Sequence, residues 1–173
     1  VSNGAILRSG VFEDVFVQPA AGDAGGALGA ALFVWHQLLD QPRAPVSPDA
    51  QHGSLLGPRF PSEKICSFLD GKDARYRRYS RETDLLDDVA RLLAEGNVIG
   101  WFQGRMEYGP RALGCRSILA DARNPRTRSV VNDTIKHREA FRPLAPSVLR
   151  EHARHYFLLD RESPYMLFTS EIR

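Results

Sequence analysis

Residues 83–120 read TDLLDDVARLLAEGNVIGWFQGRMEYGPRALGCRSILA, and the order of signals in them decides the fold class. Thr83 is a capping residue, and Asp84, Asp87 and Asp88 suit the positive end of a helix dipole. Leu85, Leu86, Val89, Leu92 and Leu93 fall on one face at helical spacing. Gly96 stops the helix. Asn97 then leads into VIGWF, which predicts a buried strand; a glycine-bearing loop follows, and SILA at 117–120 predicts a second strand. Helix, glycine stop, apolar strand and glycine loop in succession are α/β in character.

Working outward, Asn124 is placed to cap, and Pro125 to begin, a helix that turns Val130, Val131 and Ile135 inward. Pro143 and Pro146 leave residues 141–149 at best an interrupted or edge strand, and 151–159 read as a last helix. On the other side, residues 11–18 (VFEDVFVQ) alternate and are rich in Val and Phe, which predicts a short strand ended by Pro19. The stretch AAGDAGGALGAALFVWHQLL then predicts a closely packed helix over 27–39. Pro42, Pro45, Pro48, Pro58 and Pro61 punctuate 41–61, a linker or wrapped surface loop and a domain boundary. Residues 62–69 read as a short helix, and 72–81, basic with Tyr76 and Tyr79, as a solvated loop. The expected organisation is an N-terminal piece over 1–40, a linker over 41–82 and an α/β domain over 83–173.

At 173 residues and 43% hydrophobic, the chain has the material for a core. A net charge of +2 is too small to imply a nucleic-acid partner for the chain as a whole. No apolar run approaches the roughly 20 residues of a membrane span, and the start, VSNGAILRSG, has no basic and apolar leader pattern. Both ends read as abrupt, so a fragment of something longer is expected. Cys66 and Cys115 form no CxxC or metal spacing, which favours a reduced, cytoplasmic setting.

The basicity is local. Between Trp101 and Leu149 nearly every cation is Arg, a planar fork suited to carboxylates and phosphates. Lys136, His137 and Arg138 close a predicted helix, where its dipole alone would favour them. That does not account for Arg111 between Pro110 and Ala112, or Arg142 between Phe141 and Pro143. Several cations around glycine loops suit phosphoryl or acyl-phosphate handling; a basic surface with structural ion pairs is the plainer reading. Asp23, ahead of Gly25 and Gly26, suits a metal or metal-phosphate contact, or equally the capping of a tight turn.

GWFQGRMEYGPRALGCRSILADARNPRTR followed by VNDTIKHREAFRPLAPSVL resembles the C-terminal domain of the NodU/CmcH O-carbamoyltransferases of nodulation-factor and antibiotic biosynthesis. PAAGDAGGALGAAL resembles the end of the ASKHA-type domain that precedes it. The resemblance implies a YrdC-like α/β domain, a twisted mixed sheet with helices, preceded by a strand-helix piece of an ASKHA-type domain. It implies that carbamoyl phosphate and ATP form carbamoyl-adenylate, and that the carbamoyl group then passes to a hydroxyl of a small-molecule acceptor. Lys136-His137-Arg138 matches the YrdC-like KxR element, and Arg111 and Arg142 match basic residues of the carbamoyl phosphate and nucleotide pocket. Lys136, Arg111 and Arg142 are the implied catalytic set; Arg105, Arg116, Ser117 and Arg138 join them in binding. Asp23 matches an acidic ligand of a divalent metal, Mg or Fe. The family usually has Asn where this chain has Cys115, which leaves a degenerate homologue as one alternative. A non-catalytic nucleotide- or RNA-binding module with a basic surface is another, although neither nucleic acid nor membrane is the expected partner.

Overall fold

The computed structural model describes residues 2–47, 49–159 and 161–173. The chain is mixed α/β, with short helices and one two-stranded antiparallel sheet among the described residues. It divides into two compact units that interleave along the sequence. One comprises Val1–Pro58, Arg105–Cys115 and Val148–Arg173; the other comprises Arg59–Gly104 and Arg116–Ser147.

The second unit holds the stretch that decides the class. Helix α3 (Ser62–Asp70) forms as the sequence indicates, and α4 spans Glu82–Ala94. Glu82 and Asp84 stand in the first turn of α4 and Arg91 in its last, the order the helix dipole favours. Thr83 is not the cap: the helix begins at Glu82, Arg81 occupies the cap position with an extended backbone, and no side chain bonds there. Arg81 instead reaches forward to Asp84 at 2.5 Å. Gly96, at φ +88°, ends the helix as expected, with its N–H on Leu93 O at 2.9 Å. Asn97 ties the exit twice to Leu92 O, through its N–H and its side-chain amide, each at 3.0 Å.

The two predicted strands form and pair. Strand β1 (Ile99–Phe102) runs antiparallel to β2 (Arg116–Leu119), with Gly100 opposite Ile118 and Trp101 opposite Ser117. β1 is not buried on both faces; exposure alternates and Phe102 is 53% exposed, so the sheet covers one face only. After β2, Asn124 does cap a turn, its carboxamide oxygen accepting the Arg126 N–H at 2.9 Å, but the helix α5 starts later, over Thr127–Val130. It widens into a π-helical turn, Val131–Ile135. Only Val131 of the expected inward set is buried; Val130, on α5, and Ile135, at the end of the turn, are both exposed. Residues 141–149 form no strand, as Pro143 and Pro146 lead one to expect.

In the first unit, α1 spans Ser2–Arg8 and α2 spans Asp23–Phe33, continuing as a π-helical turn over Val34–Leu38. The helix is there, but it is not closely packed: Phe33, Trp35 and Leu38 are exposed, and no described element covers that face. Residues 11–18 are not a strand, because an alternating segment becomes one only beside a partner and none lies alongside. Residues 41–61 are mostly irregular apart from a tight turn at His52–Ser54; Pro48, counted among the prolines of this linker, lies outside the described residues. The C-terminal part adds a turn at Arg150–His152, α6 (Ala153–Tyr156) and a bridge between Phe157 and Ile172. It is tied to the N-terminal part by Asn3 donating to Leu167 O at 2.9 Å and Arg161 pairing with Asp14 at 2.8 Å.

The hydrophobic composition does not condense into a continuous core. Among the described residues Val131 is the buried apolar side chain, while Ser54, Glu107 and Asn132 are buried polar ones. Buried polar groups must find partners, and those of Glu107 and Asn132 lie in the basic loops.

Candidate functional site

The loop 105–115 of the first unit is built from beneath. Arg105 donates to Gly57 O at 2.7 Å, and Gly57 and Met106 are joined by the Gly57 N–H on Met106 O at 2.9 Å. A side chain at Gly57 would stand 2.8 Å from Met106 Cβ, so the approach needs glycine. Glu107, 4% exposed, then accepts the Leu113 N–H at 2.9 Å and the Cys115 N–H at 2.7 Å through Oε1. One carboxylate oxygen thus closes the loop on itself.

Tyr108 fastens this loop to the segments around it. Its N–H donates to Ser54 O at 2.6 Å and its hydroxyl donates to Ala24 O, in the first turn of α2. Gly109, at φ +96°, packs so tightly that a Cβ there would lie 2.5 Å from Ala20 Cβ. The DAGG turn and the GPRALG loop, which stand far apart in the sequence, therefore share one assembly within this unit. Arg111 rides exposed on its crest and forms no side-chain hydrogen bond or ion pair among the described residues. Arg111 also borders a small pocket, which it lines with Ala20, Ser54, Tyr108, Leu113 and Tyr165. Tyr165 donates to Asp49 at 2.6 Å; the bond pushes the phenol up to about 12 and holds the Asp49 carboxyl below its ordinary value.

Cys115 meets the loop through its backbone. Burial, and secondarily the Glu107 carboxylate, push its thiol up from the ordinary value, so it stays protonated at neutral pH. The loop-closing donor is an N–H that any residue but proline supplies. Asn in this place would close the loop equally well.

In the second unit, Arg116 and Ser117 sit on β2, opposite Phe102 and Trp101. The loop after the π-helical turn bears Lys136, Arg138 and Arg142. Arg138 is engaged structurally, Nε to Asn132 Oδ1 at 2.8 Å and Nη2 to Pro143 O at 3.4 Å. Arg142 is loosely paired with Glu139 at 3.4 Å, both well exposed, a contact worth little in water. Lys136 is exposed and forms no side-chain contact of this kind among the described residues. Asp133, His137, Arg138 and Glu139 border an open depression here.

The residues picked out by sequence thus divide between the units: Asp23, Arg105 and Arg111 in one, Arg116, Ser117, Lys136, Arg138 and Arg142 in the other. Glu107, Tyr108 and Asn132 went unread; the signal for Glu107 is an acid among cations, and for Asn132 a polar residue on the apolar side of a helix. Asp23 opens α2, exposed and with no side-chain capping bond, so it does not act as an N-cap. No group of three or more His, Cys, Asp or Glu able to hold a metal gathers among the described residues.

Two family models match the chain: carbamoyltransferase N-terminus over residues 1–32 and carbamoyltransferase C-terminus over residues 90–173. The chain belongs to the carbamoyltransferase family. Among relatives, an uncharacterised protein of Synechocystis is 58% identical across 100% of this chain and 28% of its own length. Nodulation protein NolO of Bradyrhizobium diazoefficiens is 44% identical over 99% of this chain and 31% of its own length. The 3'-hydroxymethylcephem-O-carbamoyltransferase of Amycolatopsis lactamdurans is 35% identical over 99% and 30%. The chain thus spans less than a third of the length of each of these relatives. The segments matched by both family models meet in its first unit, where Tyr108 of the C-terminal match bonds Ala24 of the N-terminal one. No helix among the described residues is long and apolar enough to cross a membrane.

Proposed function

We propose that this chain is part of an O-carbamoyltransferase in which water cleaves carbamoyl phosphate to carbamate and phosphate. A carbamate oxygen then attacks the α-phosphorus of ATP, giving carbamoyl-adenylate and displacing pyrophosphate. The hydroxyl of a small-molecule acceptor attacks the carbamoyl carbon, loses its proton, and displaces AMP. In this reading the segment from 83 onward is YrdC-like, residues 1–40 close an ASKHA-type domain, and 41–82 link them. The observation that carries it is the match to both ends of one carbamoyltransferase family, together with a relative named for O-carbamoyl transfer. The side-chain chemistry supports it: both substrates are small polyanions, and cations fixed in place beforehand screen phosphate charge without reorganising when it arrives.

The proposed roles differ by residue. In the first unit Arg111, exposed and uncommitted, takes phosphate oxygens; in the second Lys136 does so, and Arg142, with only a weak pair to release, joins Lys136. Arg105 and Arg138 spend their guanidinium bonds on backbone and on Asn132, so they shape the loops more than they grip ligand. Arg116 and Ser117 contribute from the sheet. ATP is thus a substrate here and not a resident cofactor.

Equilibrium binding of ATP, carbamoyl phosphate and single-stranded RNA by the full protein tests this reading. Selective small-ligand binding that Arg111→Ala or Lys136→Ala abolishes is the expected result. Salt-steep RNA binding with no affinity for either small ligand would overturn it.

A further inference from the structure

Asn132 is fully buried, at 0% exposure, yet it is polar and lies one residue into the π-helical turn that precedes the basic loop. A carboxamide offers two donors and one acceptor oxygen, and this one uses both ends on the same loop. Its Oδ1 accepts from Arg138 Nε at 2.8 Å, and its Nδ2 donates to Arg142 O at 3.0 Å and to Ala140 O at 3.4 Å. Its own backbone carbonyl accepts the Arg138 N–H at 3.0 Å. Between these anchors the chain reverses at His137, whose φ of +47° is a left-handed backbone that a non-glycine residue holds only when its surroundings impose it. His137 follows the helix end, where the last helical bond runs from Lys136 N–H to Val131 O at 2.9 Å; beyond it the Asn132 carboxamide adds side-chain anchors to the backbone bond that spans the reversal.

We infer that Asn132 is a positioning residue: its buried carboxamide fixes the Arg138 side chain and the backbone at 140 and 142, so that Lys136 and Arg142 stand ready for a phosphate-bearing ligand. The ligand class rests on the function proposed above; the anchoring does not. Asn is the side chain suited to the place. Asp has the same shape and keeps the Arg138 contact, but it turns a carboxylate oxygen toward two carbonyl oxygens at a fully buried position. Ser is too short to reach both sides, and an apolar residue leaves the carbonyls and Arg138 without partners.

The test uses the full protein as wild type, Asn132→Asp, Asn132→Ser, Arg138→Lys and the Asn132→Ser/Arg138→Lys double variant. Two quantities are read: amide hydrogen exchange and the Kd for inorganic pyrophosphate. Asn132→Asp and Asn132→Ser should each speed exchange within 136–143 while amides of the paired strands 99–102 and 116–119 keep their protection. Pyrophosphate binding should weaken by roughly tenfold, the effect of losing about one well-made hydrogen bond's worth of preorganisation. Arg138→Lys keeps the charge but lacks the Nε donor, so it should loosen the same residues, and the double variant should be no worse than Asn132→Ser alone, because Ser has already lost the contact. Unchanged exchange in 136–143 would overturn the inference. So would exchange rising equally in the strands, since that is general destabilisation, or additive effects in the double variant. If the wild type binds no pyrophosphate, the proposed function fails on its own, and the exchange pattern still decides whether Asn132 holds the loop.

Discussion

Glu107→Ala removes the acceptor on which the 107–115 loop closes. Two backbone donors, Leu113 N–H and Cys115 N–H, lose a carboxylate at 2.9 and 2.7 Å. A partly buried N–H left without a partner costs about 1–3 kcal/mol, and bonds to a charged acceptor lie in the upper part of the range. Both donors are only half-buried, so water recovers part of the loss, and about 2–4 kcal/mol for the pair is the expected destabilisation. Glu107→Gln keeps the shape and an acceptor oxygen but not the charge, and should cost about 1–2 kcal/mol. Urea unfolding of the full protein gives the energies, and amide exchange at Leu113 and Cys115 shows whether the loss is local. The loop carries Arg111, so looser exchange there should come with weaker ATP binding even though Glu107 is buried away from ligand. A Glu107→Ala protein within about 0.5 kcal/mol of wild type, with both amides still protected, would refute the reasoning.

Gly25→Ala places a methyl 2.3 Å from Ala20 O. Alanine normally favours a helix by about 1 kcal/mol over glycine, so a net loss of stability on denaturation tests the close approach, and a gain would contradict it. Arg111→Ala should leave the thermal midpoint almost unmoved, since the side chain is exposed and unpaired, while carbamoyl phosphate affinity falls; calorimetry measures both. The Asp121 carboxyl, held down to about 2 chiefly by its hydrogen bonds from the Arg123 side chain, is a depressed group. Its contribution to stability is therefore fully present above the ordinary carboxylate range near pH 4 and is lost as pH falls toward 2. NMR titration should place its midpoint there in the wild type and higher in Arg123→Ala.

What the sequence disclosed and what it withheld follow from the range of the interactions involved. The leucines of 85–93 and the glycine at 96 act within a turn or two, so α4 and its end were legible, as were the two strands bounded by loop residues; their antiparallel pairing was not. Helix α2 was legible as a helix; its packing was not, because small and apolar residues say nothing of which neighbour lies against Phe33 or Trp35. Residues 11–18 show the same limit for strands: alternation without a partner leaves an extended, exposed segment. The arginines beside glycine and proline are plain in the sequence, and they suggest anion chemistry. How their loops are held was not legible. Glu107 and Asn132 bind amides and carbonyls six to ten residues away, and those groups come within reach only once Gly109 and Gly114 and, in the other unit, His137 adopt left-handed backbone. Tyr108 depends on α2 and Ser54, which no local pattern near residue 108 indicates.

The measurement that bears most directly on the central claim is pyrophosphate release from ATP by the full protein, with and without carbamoyl phosphate, beside its Lys136→Ala variant. Release that requires carbamoyl phosphate and disappears in a variant of unchanged stability is the predicted result. A well-folded protein that releases no pyrophosphate, or releases it equally without carbamoyl phosphate, would contradict the account.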